Sequence, residues 1–316
     1  MKTICIALLT FCASFAATAQ ETGAAASPAQ QTNHTPPAQH TGTANSTWTN
    51  EVRVQTLIFG NFFQAAEGSP TQDVDALSAG YRGTYRPAGT TTDLYGEASL
   101  VKYTNINRQR PYGLRAGVHH DDAKQEFEIF GDVGGHRAAF DVGEKTAFAT
   151  VTTLSGEYTY KLTHDWSIGG EALQERQRFD VQSDQKNDYT RAGVNVRFRG
   201  WGYKFSPRIG YVMGTRDVEN RVDTYDENYW FAQIISMPTP RVYLSVSYRD
   251  RKRTYPNQTN PAAHEVKRPQ WSAFGSLKLT KNLNAGMYYS RDVSRSPLSY
   301  RRFRTSFLLL GLTMHF

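Results

Sequence analysis

The sequence predicts an all-β fold: a transmembrane antiparallel up-and-down β-barrel of about fourteen strands, with twelve to sixteen compatible with the pattern. Three observations predict it. From Glu51 to the last residue, apolar and aromatic side chains alternate with polar, charged or glycine residues at a period of two. Many of these runs reach about ten residues, which is long for a soluble strand and suits a tilted bilayer crossing. The connections between them also alternate, long then short, as loops and turns do at the two ends of a membrane barrel.

The composition agrees. Of 316 residues, 36 are Lys or Arg and 29 are Asp or Glu, a formal charge of +7, and only 39% are hydrophobic. A mean hydropathy of −0.57 excludes a bundle of membrane helices, each of which needs about 20 mostly apolar residues. Gly (25), Tyr (18) and Phe (17) are plentiful, and the chain has only five Met. That balance favours strands over helices.

Taken in order, residues 1–19 read as a cleaved secretory signal: Lys2, the apolar run from Ile4 to Phe15, then Ala17-Thr18-Ala19. Both cysteines, Cys5 and Cys12, leave with it, which excludes disulfides and thiolate chemistry in the mature chain. Acylation at Cys12 is disfavoured because Phe11 precedes it where a small residue is wanted. Residues 20–47 are Ala, Thr, Gln, Pro and Gly with almost no large apolar side chain, so they form a disordered periplasmic spacer or tether. Residues 48–316 are the barrel.

The expected strands run roughly over 50–64, 74–86, 92–105, 112–120, 124–133, 148–161, 165–180, 187–200, 202–216, 226–237, 240–253, 269–280, 283–292 and 301–316. Ala192, Val194, Val196 and Phe198 against Arg191, Gly193, Asn195, Arg197 and Arg199 give the clearest alternation. Long connections are expected at Ala65–Asp73, Asn107–Arg110, Gly134–Ala147, Val181–Lys186, Asp217–Tyr225, Thr254–Arg268 and Val293–Tyr300. Short ones fall at Pro87–Thr91, Asp121–Ala123, Leu162–His164, Trp201, Pro238–Thr239 and Lys281–Asn282.

The chain ends Ser306-Phe307-Leu308-Leu309-Leu310-Gly311-Leu312-Thr313-Met314-His315-Phe316, with Leu308, Leu310, Leu312, Met314 and Phe316 on one parity. This resembles the terminal strand of bacterial outer-membrane β-barrels. The resemblance implies a Gram-negative outer-membrane location, export by the cleaved signal, and recognition of Phe316 by the barrel assembly machinery. Tyr248-Arg249-Asp250-Arg251 and Tyr288 to Tyr300 resemble strand ends of porin-like and exopolysaccharide-associated barrels, and more weakly the barrel of surface-lipoprotein assembly modifiers. Those modifiers carry a helical-repeat domain, for which residues 20–47 are too short.

With Phe316 facing lipid, the outward set is expected to hold Leu57, Phe59, Leu77, Tyr81, Tyr85, Leu114, Val118, Phe127, Ile129, Tyr158, Tyr160, Trp166, Ile168, Val194, Phe198, Phe205, Ile209, Tyr211 and Tyr248. The inward basic set is Arg82, Arg86, Arg115, Arg191, Arg197, Arg199, Lys204, Arg208, Arg216, Arg241, Arg249, Lys278 and Arg301. The inward acidic set is Glu97, Glu126, Glu128, Glu157, Glu171, Glu175 and Asp292. Acids gather on the fifth to seventh strands and arginines on the eighth, ninth and eleventh. Two readings follow: a basic ladder that attracts anions, or Arg–Glu pairs that fill and stiffen the lumen.

The sequence has no Gly-x-Ser-x-Gly, no His-Glu-x-x-His and no phosphate-binding glycine loop. His119-His120-Asp121-Asp122 falls at a short turn and reads as turn chemistry. The acidic stretch Asp217–Glu227 lacks a calcium-loop register, and Tyr255–Lys267, with Pro256 and Pro261, could fold into the pore. The expectation is therefore a non-enzymatic, porin-like channel for passive diffusion of small hydrophilic, anionic or saccharide solutes. It takes no cofactor, metal or nucleic acid and is surrounded by outer-membrane lipid and lipopolysaccharide. The alternatives are an export or assembly component for a polysaccharide or surface protein, an outer-membrane enzyme supported by His119 or Asp122, and an occluded structural barrel.

Overall fold

The computed structural model describes residues 45–60, 73–104, 111–142, 145–179, 182–200, 204–219, 224–261, 264–298 and 302–316, with backbone alone for 136–142, 145–148 and 182–186. The signal segment, nearly all of the spacer and Arg301 lie outside the described residues. The strands are β1 (Thr47–Gly60), β2 (Val74–Arg86), β3 (Thr92–Tyr103), β4 (Tyr112–Asp121), β5 (Gln125–Val142), β6 (Lys145–Lys161) and β7 (Trp166–Phe179), followed by β8 (Gln182–Phe198), β9 (Ser206–Val218), β10 (Tyr225–Thr239), β11 (Val242–Thr254), β12 (Glu265–Lys278), β13 (Leu283–Ser294) and β14 (Phe303–His315).

Each strand pairs antiparallel with its sequence neighbours, and β1 pairs with β14, closing one barrel. Closure leaves no edge strand with unmet backbone hydrogen bonds. The closing seam is completed by Asn50 and Phe316, whose amides and carbonyls exchange bonds of 2.9 and 3.0 Å. This end is called the lower end, and the end bearing Gly60 the upper. At the lower end the turn after β2 needs a glycine: the Thr90 amide donates to the Pro87 carbonyl, and Gly89 between them has φ +71°.

Strand limits differ from expectation in both directions: β3, β7, β9, β11 and β14 are shorter, while β5, β6, β8, β10, β12 and β13 are longer. The segment Gly134–Ala147 is no loop: β5 and β6 continue as a hairpin up to Val142 and Lys145, with register shifts at Gly134/Arg137 and Ala139/Val142. The Gly134-Gly135 pair marks a bulge, where glycine accommodates the extra residue, and not a strand end. Likewise β8 begins at Gln182, pairing there with the end of β7 at Phe179, and β12 begins at Glu265.

The period-two alternation sorts side chains as expected, with one exception. Leu114, Leu154, Val194, Ile209 and Met213 are all more than half exposed on the outer wall. Aromatics flank this belt near the lower end, where Trp48 lies against Tyr85 at 4.9 Å and Trp166 against Phe198 at 5.0 Å. The exception is β1. Leu57 and Phe59 are buried and point inward, because their register partners are the inward Leu309 and Phe307 of β14. The outward residue there is Ile58. Leu57 and Phe59 join Val74, Val101, Tyr103, Tyr288, Phe307 and Leu309 in an apolar cluster inside the upper half of the barrel. Burying each such side chain stabilises by about 1.5–3 kcal/mol, so this part of the lumen is a packed core.

Candidate functional site: the ion-paired lumen

The inward face carries charge along most of the circumference, and the structure joins the acids of β5–β7 to the arginines of β8 and β9. Arg208 on β9 reaches Glu157 on β6 at 2.6 Å, and Arg199 just after β8 reaches Glu126 on β5 at 3.1 Å. Both links pass over two intervening staves, so they cross part of the lumen. Arg216 meets Glu175 at 3.3 Å and Arg191 meets Glu171 at 3.6 Å. The segregation of sign seen in the sequence is therefore largely spent in pairs.

Arg115 contributes a further link to Asp132 at 3.6 Å. Glu128 is held differently, by the Tyr95 hydroxyl, which donates at 2.6 Å. Glu97 accepts from Arg53 at 3.2 Å, and Arg53 also contacts Glu51 on its own strand. Asp292 accepts from two guanidiniums, Arg251 at 3.0 Å and Arg268 at 2.8 Å. Arg253 donates to Glu227 at 2.6 Å, and the Tyr189 hydroxyl donates to the other oxygen at 2.9 Å. Arg53, Asp132, Glu227, Arg251, Arg253 and Arg268 were not among the residues expected to line the lumen. Arg251 and Arg253 continue the parity of Arg249, which is the signal that would have found them.

Aromatic rings pack among these charges. Arg216 lies over Tyr189 at 4.7 Å, Arg253 over Tyr225 at 4.2 Å, and Arg82 over Tyr95 at 3.8 Å. Guanidinium planes stack favourably on such faces. Three inward arginines have no carboxylate partner among the described residues. Arg82 rests on Tyr95, Arg197 donates to the Ser206 hydroxyl at 3.0 Å, and Arg249 lies 5.9 Å from the centre of the Tyr229 ring.

Some expected lining residues sit elsewhere. Lys204 and Arg241 are exposed turn residues outside any strand, since β9 begins at Ser206 and β11 at Val242. Lys278 is exposed at the last position of β12, and Arg86 is tied to Asp93 at 2.7 Å by the lower rim. Of the His119–Asp122 stretch only Asp122 lies in the turn, His119, His120 and Asp121 being the last residues of β4: Asp122 Oδ1 accepts from the Lys124 and Gln125 amides, and Oδ2 contacts His120 at 3.0 Å. These bonds, the His120 contact first, hold the Asp122 carboxyl below the usual carboxylate range. Glu227 of the acidic stretch points into the lumen, and the described residues contain no His/Cys/Asp/Glu group able to hold a metal. Of the Tyr255–Lys267 stretch, Tyr255 does tuck inward, packed on Tyr225 and Val266.

Exposure varies over the lumen. In the upper half Glu175, Gln177, Asn187, Arg216, Arg268 and Asp292 are almost wholly buried. In the lower half Ser167, Asn195, Arg199, Ser206 and Ser245, beside the Arg199–Glu126 and Arg208–Glu157 pairs, are buried as deeply, whereas Ser247, Ser272, Ser276 and Gly286 on β11–β13 are only partly covered. The result is an upper half closed by ion pairs and the apolar cluster, above a lower half in which only the β11–β13 side, with small polar walls, is partly open. Fold and lumen together define the class: a closed fourteen-stranded antiparallel barrel, apolar outside and ion-paired inside, which is the architecture of a membrane-spanning β-barrel.

No protein-family model matches this chain, and no curated protein does. Among solved structures it is similar to a loop-deletion form of OmpT, an outer membrane protein of Vibrio cholerae, at a TM-score of 0.45 and 10% identity, covering 87% of this chain and 100% of that one. It is also similar to the anion-selective porin from Comamonas acidovorans (TM-score 0.44, 9% identity, 86% and 100% covered). The outer membrane channel DcaP of Acinetobacter baumannii gives 0.43, 10%, 87% and 98%. Likeness at this level carries no information about solute or selectivity.

Proposed function

We propose that this chain is a porin-like channel of the bacterial outer membrane, passing small hydrophilic anions or saccharides through a narrow, arginine-biased lumen. The observation that carries the reading is the uneven pairing of inward charge: among the described residues Arg82, Arg197 and Arg249 have no carboxylate at ion-pair distance, while Glu51, Glu97, Glu126, Glu157, Glu171, Glu175, Glu227, Asp132 and Asp292 each meet a guanidinium and Glu128 a tyrosine hydroxyl. Charge of one sign left over in a low-dielectric tube attracts the opposite ion. The reading assigns no reaction and no cofactor, and it takes the apolar belt as the surface that meets lipid.

The closed upper half favours a second reading, an occluded barrel that conducts only after its ion pairs rearrange or a partner opens it. Single-channel recording of the refolded mature chain in a planar bilayer separates the two. Stable conductance steps with anion preference in a salt gradient support the channel. A correctly inserted barrel that stays electrically silent supports occlusion.

A further inference from the structure

The outer wall carries one feature that an apolar belt does not need. At the upper end of β13 and β14, and at the described residues just beyond them (295–297 and 302), a cavity of about 790 Å³ opens on the outward face. Its walls include Arg291, Arg295, Arg302 and Arg304, with Tyr248 and Trp271 at its foot, and no described carboxylate lines it. Arg291, Arg295, Arg302 and Arg304 are all exposed.

The register shows how the site is built. Arg291 is the direct cross-strand partner of Trp271, which is itself the partner of Tyr248, and those two rings lie 4.4 Å apart. Trp230 extends the aromatic row at 5.3 Å from Tyr248. Such a row marks the headgroup level of a bilayer. Arg304 is the partner of Val293, and Arg295 is bridged to Lys267 one step higher. Arg302 is fixed by two carbonyls, Ser296 at 2.6 Å and Pro297 at 3.0 Å. Glu265, on the same face, is already engaged by Lys252 at 2.7 Å.

Arginine on a lipid-facing wall costs about 2–4 kcal/mol at mid-membrane and about 0–1 near the interface. Such arginines are therefore tolerable only beside headgroups, and the mutual repulsion of Arg291, Arg295 and Arg302 favours an anion between them. Guanidinium forks match phosphate oxygens in two-point contacts, and a fixed fork loses less freedom on binding. Below the cavity the wall returns to Met287, Tyr289 and Leu310, all outward and exposed, which is where acyl chains would lie.

We infer that this cavity binds the phosphorylated headgroup of an acylated outer-leaflet lipid, with Arg291, Arg295 and Arg302 contacting phosphate and Trp271 resting on the boundary of its acyl region. The inference rests on the membrane placement proposed above and on taking the lower end, where the expected periplasmic segment enters β1, as the periplasmic one, so that the upper end lies in the outer leaflet. To test it, the detergent-solubilised full chain is titrated with diphosphorylated lipid A, with the same lipid stripped of phosphate, and with inorganic phosphate, binding being read by native mass spectrometry. The diphosphorylated lipid should bind, the stripped lipid at least about tenfold more weakly, and the R291Q/R295Q/R302Q variant should lose a similar factor. Millimolar inorganic phosphate should not displace the lipid.

Equal binding of the two lipids overturns the inference even if the variant fails to fold, and displacement by inorganic phosphate replaces it with a free-anion site. Vesicle flotation run in parallel separates the failures. A barrel that does not insert defeats the membrane reading, whereas one that inserts without phosphate preference defeats this site alone.

Discussion

Replacing Asp292 by alanine distinguishes a dry upper lumen from a wet one. Asp292 is 3% exposed and accepts from Arg251 and Arg268, whose side chains are 6% and 2% exposed. Removing it takes away the carboxylate that the two guanidiniums share, leaving them to Glu227, which is already bonded to Arg253. Breaking a buried pair in this way costs about 3–5 kcal/mol, because the remaining charge is stranded away from water. The reference is Asp188→Ala, which breaks the outer pair with Arg176, whose side chains are 53% and 38% exposed. An exposed pair of that kind is worth about 0–1 kcal/mol. Urea unfolding of the barrel in vesicles, followed by tryptophan fluorescence, measures both losses. Raising salt from about 0.1 M to 1 M shortens the screening length from about 10 to 3 Å, which should weaken the Arg176–Asp188 pair and leave the Asp292 cluster nearly unchanged. If Asp292→Ala costs less than about 1 kcal/mol, water reaches the cluster and the closed upper half described above is wrong.

Arg197→Glu combined with Arg249→Glu should shift ion selectivity toward cations more than Arg199→Glu does, because Arg199 is already neutralised by Glu126; equal reversal potentials for the two variants would take Arg197 and Arg249 out of the conducting path. Reversing Arg191, Arg197 and Arg199 together should move selectivity in the same direction. Deleting Phe316 should lower assembly into the outer membrane, read by heat-modifiable migration of the barrel, since the last rung of the β1–β14 seam uses its amide and carbonyl; normal assembly would count against the terminal-strand resemblance. The turn after β4 should be insensitive to pH down through the ordinary carboxylate range, because a folded carboxyl held below its free value contributes stability above that value (about 3.9) and loses it only as pH falls through the lowered one. The protection factors of the Lys124 and Gln125 amides, exchange rates corrected for their intrinsic pH dependence, should therefore be unchanged between pH 6 and about pH 4, and lower at both pH values in Asp122→Ala.

Most of the wall was legible because a strand between oil and water must alternate, and alternation survives in a single sequence. All fourteen strands stand where the period-two runs lie. Leu57 and Phe59 were misplaced because apolar was equated with lipid-facing, although Glu51, Arg53 and Gln55 share their parity and point inward with them. Face is a property of the whole strand, and the upper lumen is partly oily. Lys204 and Arg241 were misplaced by carrying parity past a strand end into a turn. The links from Arg208 to Glu157 and from Arg199 to Glu126 were beyond reach for a different reason. Sequence says which strands are neighbours, but not which inward side chains are long enough to meet over the staves between them.

The closed half of this lumen is shut by the barrel's own wall. Among the described residues its seal consists of side chains rooted in strands, such as Arg216 on Glu175 and Phe307 on Phe59, with no folded body to eject. A seal of that kind has no hinge, and opening it breaks no backbone hydrogen bond. Exposed side chains change rotamer in picoseconds to nanoseconds, and a packed, ion-paired set is held longer only by the partners that must move with it. Under the occluded reading, any open state would last only until one guanidinium swung back, so the electrical record would show brief flickers, distinct from the stable steps expected of the open channel.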